Sequence, residues 1–376
     1  MTLADTLEQR RIILCVGSGG VGKTTTAAAL ALEAARRGRR TAVLTVDPAQ
    51  RLKDALGLGQ LDGKPRRVAT GARDVHLDAM LLDVKRTFDE LVLALASSRE
   101  QAARVLENRL YQNLSNTLAG TAEYMAVETV YRLSQEGGYD LLIVDTPPAR
   151  HAVDFLDAPR RLLALLDSRA FGILKDPTSI LPAAGSRLAS LLLQGVLHGL
   201  ERFTGIGLVR EIGDFIRAIE GLMDGLRARV AAVAALLRSP DTSLLLVTAP
   251  EPRLTAETEE LARGLTAIDL AIGGVIVNRA LPQALFGPAA PTPAAIPALP
   301  SGLARRLARG YADLRLLAAR QHATLGPLLA TARAPLLAEA PLLSTPPASL
   351  DELTALARHL VPERATPPAP ARGLGR

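Results

Sequence analysis

Six short apolar runs punctuate the chain, at 12–16, 41–46, 141–144, 244–247, 275–277 and 336–338. Each has little polar alternation, the pattern of strands buried on both faces of a parallel sheet. Long Ala/Leu-rich stretches separate them. Residues 23–37 form the first of these, and the stretch stops at Gly38, a residue suited to a helix C-terminus. A βαβ opening followed by the same alternation predicts an α/β fold, a mostly parallel sheet with helices on both faces.

Two stretches break the alternation. In the first, Val84, Phe88, Leu91, Val92 and Leu95 share one helical face. In the second, Ile212, Phe215, Ile216, Ile219, Met223 and Leu226 do the same, after an uncharged run at 188–200 that is too short to span a bilayer. The expected division is a core of 1–83, 136–160 and 238–361 with helical insertions at 84–135 and 161–237. Residues 281–302 read as a Pro/Ala-rich loop, Ser349–Glu352 as a capping box opening a last helix, and 362–376 as a disordered tail.

Composition narrows the function. The chain has 376 residues, 48% of them hydrophobic, so it can bury a large core, yet it has only six Phe, five Tyr and no Trp. The core must be aliphatic, and few side chains remain as platforms for stacked bases, which disfavours nucleic-acid binding. The net charge of +6 is spread over arginines on helical stretches and reads as solvated surface. A single cysteine, Cys15, excludes an internal disulfide and a cysteine-cluster metal site. No signal-peptide pattern opens the sequence and no integral membrane segment is expected, so the expected location is cytoplasmic.

The chemistry is concentrated after the first run. Gly17, Gly22, Lys23 and Thr24 satisfy G-x-x-x-x-G-K-[ST], between a strand and a helix as that motif requires. Its glycines let backbone N–H groups converge on phosphate oxygens at a helix N-terminus; Lys23 then reaches the β and γ phosphates, and the Thr24 hydroxyl ligates Mg²⁺. ATP and Mg²⁺ are the implied cofactors. Two carboxylates follow strand ends on the same expected edge. Asp145 closes DLLIVD and suits the metal, and Asp47 opens DPAQRL and suits the attacking water.

The segments GGVGKTTTAAALA, TVDPAQRLKDALG, VDTPPARHAVDFLDAP and TAPEPRLTAETEELARGL together resemble the ArsA/Get family of arsenite-pump and tail-anchored-protein-targeting ATPases. The resemblance implies a SIMIBI-like P-loop NTPase fold with an inserted α-helical subdomain. It assigns the phosphate loop to Gly19, Gly20, Val21, Gly22, Lys23, Thr24 and Thr25, water orientation to Asp47, the start of a second switch to Asp145, and adenine contact to Asn278. It also implies a dimer, or a heterodimer with a paralogous ATPase.

Two departures qualify that resemblance. Relatives carry a lysine second in the loop that crosses the dimer to the partner's phosphates; here the position is Ser18. A charge lent across an interface is worth roughly 10³–10⁵ in turnover, so a partner's lysine, Arg150 or simply slow hydrolysis must account for its loss. The lone cysteine removes both the thiolate metalloid site and the Cys-x-x-Cys zinc clasp of relatives. The expected activity is an ATP-driven switch, slow unless a charge replaces the missing lysine, whose insertions grip an apolar helix or membrane-protein client. A hydrolytically weak scaffold subunit and a ParA/MinD-like surface-cycling ATPase are the alternatives.

Overall fold

In the computed structural model, residues 1–46, 51–72, 74–108, 111–112, 121–167, 219–287 and 301–362 are described. The apolar runs become strands β1 (Ile12–Gly17), β2 (Thr41–Thr45), β5 (Leu141–Asp145), β6 (Thr242–Thr248), β7 (Ile272–Ala280) and β8 (Leu336–Pro341). Two further strands, β3 (Arg66–Arg67) and β4 (Leu77–Leu81), complete one sheet in the order β3-β4-β2-β5-β1-β6-β7-β8. Every pairing is parallel except β3 with β4 at the edge. The expected α/β, mostly parallel P-loop architecture is therefore the observed one.

Helices cover both faces because β1 alternates between two aliphatic layers. Ile13 and Cys15 face α1 (Leu3–Gln9), α2 (Lys23–Arg36), α3 (Arg51–Ala55) and the last helix, α12 (Leu350–Leu360). Ile12, Leu14 and Val16 face the layer formed by α6 (Thr121–Glu136), α7 (Ala149–Leu166), α8 (Met223–Arg238), α9 (Pro252–Ala267) and α11 (Ser301–Ala332). Between these come α4 (Val84–Leu95), α5 (Arg99–Leu106) and a single turn, α10 (Gln283–Phe286). No helix among the described residues is long and apolar enough to cross a membrane.

Some elements differ from the sequence reading for identifiable reasons. Strand β4 carries Asp78 within it, a charge that breaks the apolar run; the structure accommodates it because Arg67 Nε donates to Asp78 at 2.7 Å and Tyr139 OH at 2.8 Å. Strand β7 is longer than expected because Gly273, Gly274 and Asn278 dilute its apolar signal. Helix α1 goes unread by pattern but is closed by a reciprocal cap: Thr2 accepts from the Asp5 amide, and Asp5 from the Thr2 amide. The stretch 281–302, expected as a loop, holds α10 and the first residues of α11; 288–300 lie outside the described residues, as do 188–200, 212–216 and the tail beyond 362. Ser349 caps α12 through the Glu352 amide, while the Glu352 carboxylate takes the Ala348 amide instead of Ser349's own.

The helix faces expected at 84–95 and 219–226 meet. Phe88, Leu91, Leu95, Met125, Leu162 and Met223 line an apolar cavity of about 610 Å³. Beside it, Arg229 on α8 donates to the buried Glu128 on α6 at 2.8 Å and lies 4.3 Å from the Tyr131 ring centroid. Burial raises the Glu128 pKa, and the guanidinium opposes that shift. The ion pair fixes α6 to α8 at the back of the sheet layer.

Candidate nucleotide site

Strand β1 lies near the middle of the sheet and ends at Gly17, with β5 and β6 on either side. A Cβ at Gly17 would fall 2.0 Å from the Val247 carbonyl oxygen, so only glycine lets the chain leave the strand here. The loop then turns through exposed Gly19 and Gly20 and enters α2 from Gly22 at φ 89°. That conformation disfavours any side chain, and a Cβ there would also strike the Asn278 amide at 2.2 Å.

Lys23 is buried, and its ammonium donates to the Ser18 carbonyl at 2.9 Å. The cation is thus folded back onto the loop's own backbone. Thr24 Oγ1 donates to Asp145 Oδ2 at 2.6 Å, and Thr45 Oγ1 to the same oxygen at 3.0 Å. The sheet register makes this meeting: Asp145 is the last residue of β5, paired with Cys15 on one side and Thr45 on the other. One hydroxyl from the phosphate loop, one from the β2 end and one carboxylate form a cluster of hard oxygens at the sheet's C-terminal edge. Such a donor set suits Mg²⁺, which favours oxygen ligands and retains waters.

Asn278, from the end of β7, donates through Nδ2 to the Val21 carbonyl at 2.9 Å and accepts the Arg279 amide at 3.0 Å. In this structure it braces the loop from beneath. Ser18 is fully buried. Its Oγ lies 3.2 Å from Thr258 Oγ1, and that hydroxyl donates to the Leu254 carbonyl at 2.7 Å and lies 3.1 Å from Thr248 Oγ1. Since a hydroxyl has one proton and Thr258 spends it on its closest acceptor, Ser18 is left to donate inward. Position 18 therefore points into α9 and the end of β6.

The remaining expected residues fall differently. Thr25 is half-buried in the first turn of α2. Asp47 lies outside the described residues, and of Arg150 only the backbone, in the first turn of α7, is described. Sequence reading passed over Thr45, Thr248 and Thr258. A hydroxyl at a strand end was the available signal for Thr45, whereas the other two are tied to the loop only through the fold.

Cys15 lies buried in β1, two residues before the loop. Burial first, then the negative charge of Asp145, push its thiol well above the ordinary range, and Lys23 opposes this more weakly. A neutral, enclosed thiol is neither a nucleophile nor a ready metal ligand. Iodoacetamide is expected to leave Cys15 unlabelled in the native chain and to label it fully in denaturant, by intact mass; rapid native labelling would show the strand is open.

A glycine loop joining a central parallel strand to a helix, with lysine and threonine at its end and an acid on the neighbouring strand, defines a P-loop nucleotide hydrolase. A family model for anion-transporting ATPases, ArsA_ATPase, matches residues 10–287. The protein named ATPase GET3 of Phaeosphaeria nodorum is 28% identical over 286 residues, which is 74% of this chain and 80% of its own. That of Paracoccidioides lutzii is 28% identical over 290 residues, covering 74% and 76%, and that of Schizosaccharomyces japonicus 27% over 283, covering 74% and 78%. The chain belongs to the ArsA family of anion-transporting ATPases, and its enzymatic activity is ATP hydrolysis.

Proposed function

We propose that this chain is a Mg²⁺-dependent ATPase that works as a dimeric switch, with nucleotide state coupled to the helical layer. The observation that carries the reading is the Thr24–Asp145 contact of 2.6 Å, which ties the phosphate loop to the end of β5. In this reading Lys23 binds the terminal phosphates, Gly19, Gly20, Val21, Gly22 and Thr25 supply loop amides, and Asn278 holds the loop's shape and borders the base. Thr24 holds Mg²⁺ directly and Asp145 through water; the ion would neutralise charge on the β and γ oxygens. Asp47 orients the attacking water, and Arg150 enters from α7.

The split into a core of 1–83, 136–160 and 238–361 and insertions at 84–135 and 161–237 belongs to the same proposal. So does an apolar-helix or membrane-protein client, supported by the apolar cavity between α4, α6, α7 and α8, whose volume is in the range of ligand sites. A second reading, a hydrolytically weak subunit paired with a paralogue, is favoured by the inward burial of Ser18, which offers a partner no cation. Turnover with Mg²⁺ and after chelation, alongside light scattering in ATP and in ADP, tests the proposal. We expect activity only with Mg²⁺ and a larger mass in ATP. Metal-independent hydrolysis, or a mass indifferent to nucleotide, would count against it.

A further inference from the structure

Helix α11 has two halves with one apolar stripe. At 3.6 residues per turn, Leu303, Leu307, Leu314, Ala318, Leu325, Leu328 and Ala332 fall on the same face. From Ala318 onward the fold covers that face: Ala318, Leu325 and Leu328 are each at most 2% exposed. Before it the same stripe is bare, with Leu303 37%, Leu307 51% and Leu314 39% exposed. Leu317 borders it, and Leu285 and Leu316 stand exposed nearby in sequence. Of the eleven large apolar side chains left exposed among the described residues, six lie between 285 and 317. Isolated exposed leucines need no explanation, but a run of them along one helix does.

The opposite face is mainly cationic, with Leu316 the exposed leucine among its arginines. Between 301 and 320 the helix carries Arg305, Arg306, Arg309, Arg315 and Arg320 against the single acid Asp313. Arg306 and Arg315 flank the leucine stripe about a quarter-turn to either side; Arg315 also donates to the Gly287 carbonyl at 3.5 Å, beside the Phe286–Tyr311 ring contact. The first turns are therefore a convex ridge exposed almost all round, held at its middle by α10.

We propose that the N-terminal half of α11, Leu303, Leu307 and Leu314 with their arginines, docks on an anionic phospholipid surface. A helix with leucines on one face and arginines on the other lies in the interfacial plane, its apolar face among acyl chains and its cations at the headgroups. A convex ridge has no groove to receive a peptide, whereas a lipid surface deforms to meet it. Leucines would add nothing to phosphate contacts on a nucleic acid, which disfavours that partner. The arginines supply the charge complementarity, and their long stems reach the headgroup level from the flanks of a partly immersed helix.

Co-sedimentation of the full chain with vesicles of phosphatidylcholine alone, and of phosphatidylcholine with phosphatidylglycerol, tests this. Binding is expected only to the anionic vesicles and to weaken with salt. The double variant Leu307→Glu, Leu314→Glu should lose about tenfold or more in affinity. ATP turnover should be unchanged, since neither residue is in the nucleotide site, which also reports that the variant is folded. Arg306→Glu with Arg309→Glu should weaken binding to anionic vesicles by a smaller factor. No binding to anionic vesicles, or binding undiminished by the leucine variant, would overturn the proposal. So would a variant that only lowers the mass of the free protein in light scattering, because the ridge would then be a contact between copies.

Discussion

Lys23→Ala is expected to lower ATP turnover by at least about 10²–10³-fold, the cost of removing one preorganised charge from a developing oxyanion. The ammonium is buried against its own loop, 2.9 Å from the Ser18 carbonyl, so in the proposed reading it needs little movement to meet the terminal phosphates. With no lysine at position 18, Lys23 is the loop's sole cation. Its loss should therefore fall on affinity as well as on kcat. Fold stability should fall by about 1–3 kcal/mol at most, because the Ser18 carbonyl, in a buried residue, loses its donor. Steady-state kinetics and a denaturant melt on the same preparation check both parts. A variant that turns over ATP at more than a tenth of the wild-type rate would remove Lys23 from the chemistry.

Asp145 should separate chemistry from folding. Asp145→Asn keeps the side chain's shape and an oxygen able to accept from Thr24 and Thr45, but gives up the anion. Turnover is expected to fall about 100-fold or more without recovery at high Mg²⁺, while stability stays near wild type. Asp145→Ala removes the acceptor of both hydroxyls. Thr45 is almost fully buried, so an unpaired hydroxyl there costs about 1–3 kcal/mol of stability beyond the asparagine variant. Activity assays across a Mg²⁺ series and urea melts of the two variants give the comparison. Equal activity of Asp145→Asn and wild type would mean that the β5 carboxylate holds no metal.

The parts of this site that were readable in the sequence are those encoded by contiguous residues. The glycine loop dictates its own conformation, and four apolar residues before Asp145 carry that carboxylate to the sheet edge. Contacts between distant segments were not readable. Ser18 was visible as a missing cation, but its burial depends on Thr258, 240 residues away. Asn278 was read as a base contact; its bond to the Val21 carbonyl, across 257 residues, makes it also a brace for the loop. Strand β4 escaped because Asp78 interrupts its apolar run, and only the fold brings Arg67 and Tyr139 to that charge. The stripe on α11 illustrates another limit. Its leucine stripe runs through both halves, and the only local sign of the bare half is charge: five arginines and an aspartate within 301–320 against no charged residue within 321–332.

The inward turn of Ser18 gives the departure from relatives a physical meaning. Here the second loop position is not an empty place at the surface but a hydroxyl spent on anchoring the loop to α9 and β6. In the proposed reading this one chain supplies the groups that bind nucleotide: Lys23 and Thr24 from the loop, Asp145 and Thr45 from the adjoining strand ends, and Asn278 from beneath.

Calorimetric titration of the purified chain with ATP, with and without Mg²⁺, beside Lys23→Ala, tests that statement most directly. Saturable binding of one ATP per chain, tightened by Mg²⁺ and lost in the variant, is the predicted result. No heat of binding in the wild type, or an affinity that the variant retains, would contradict it.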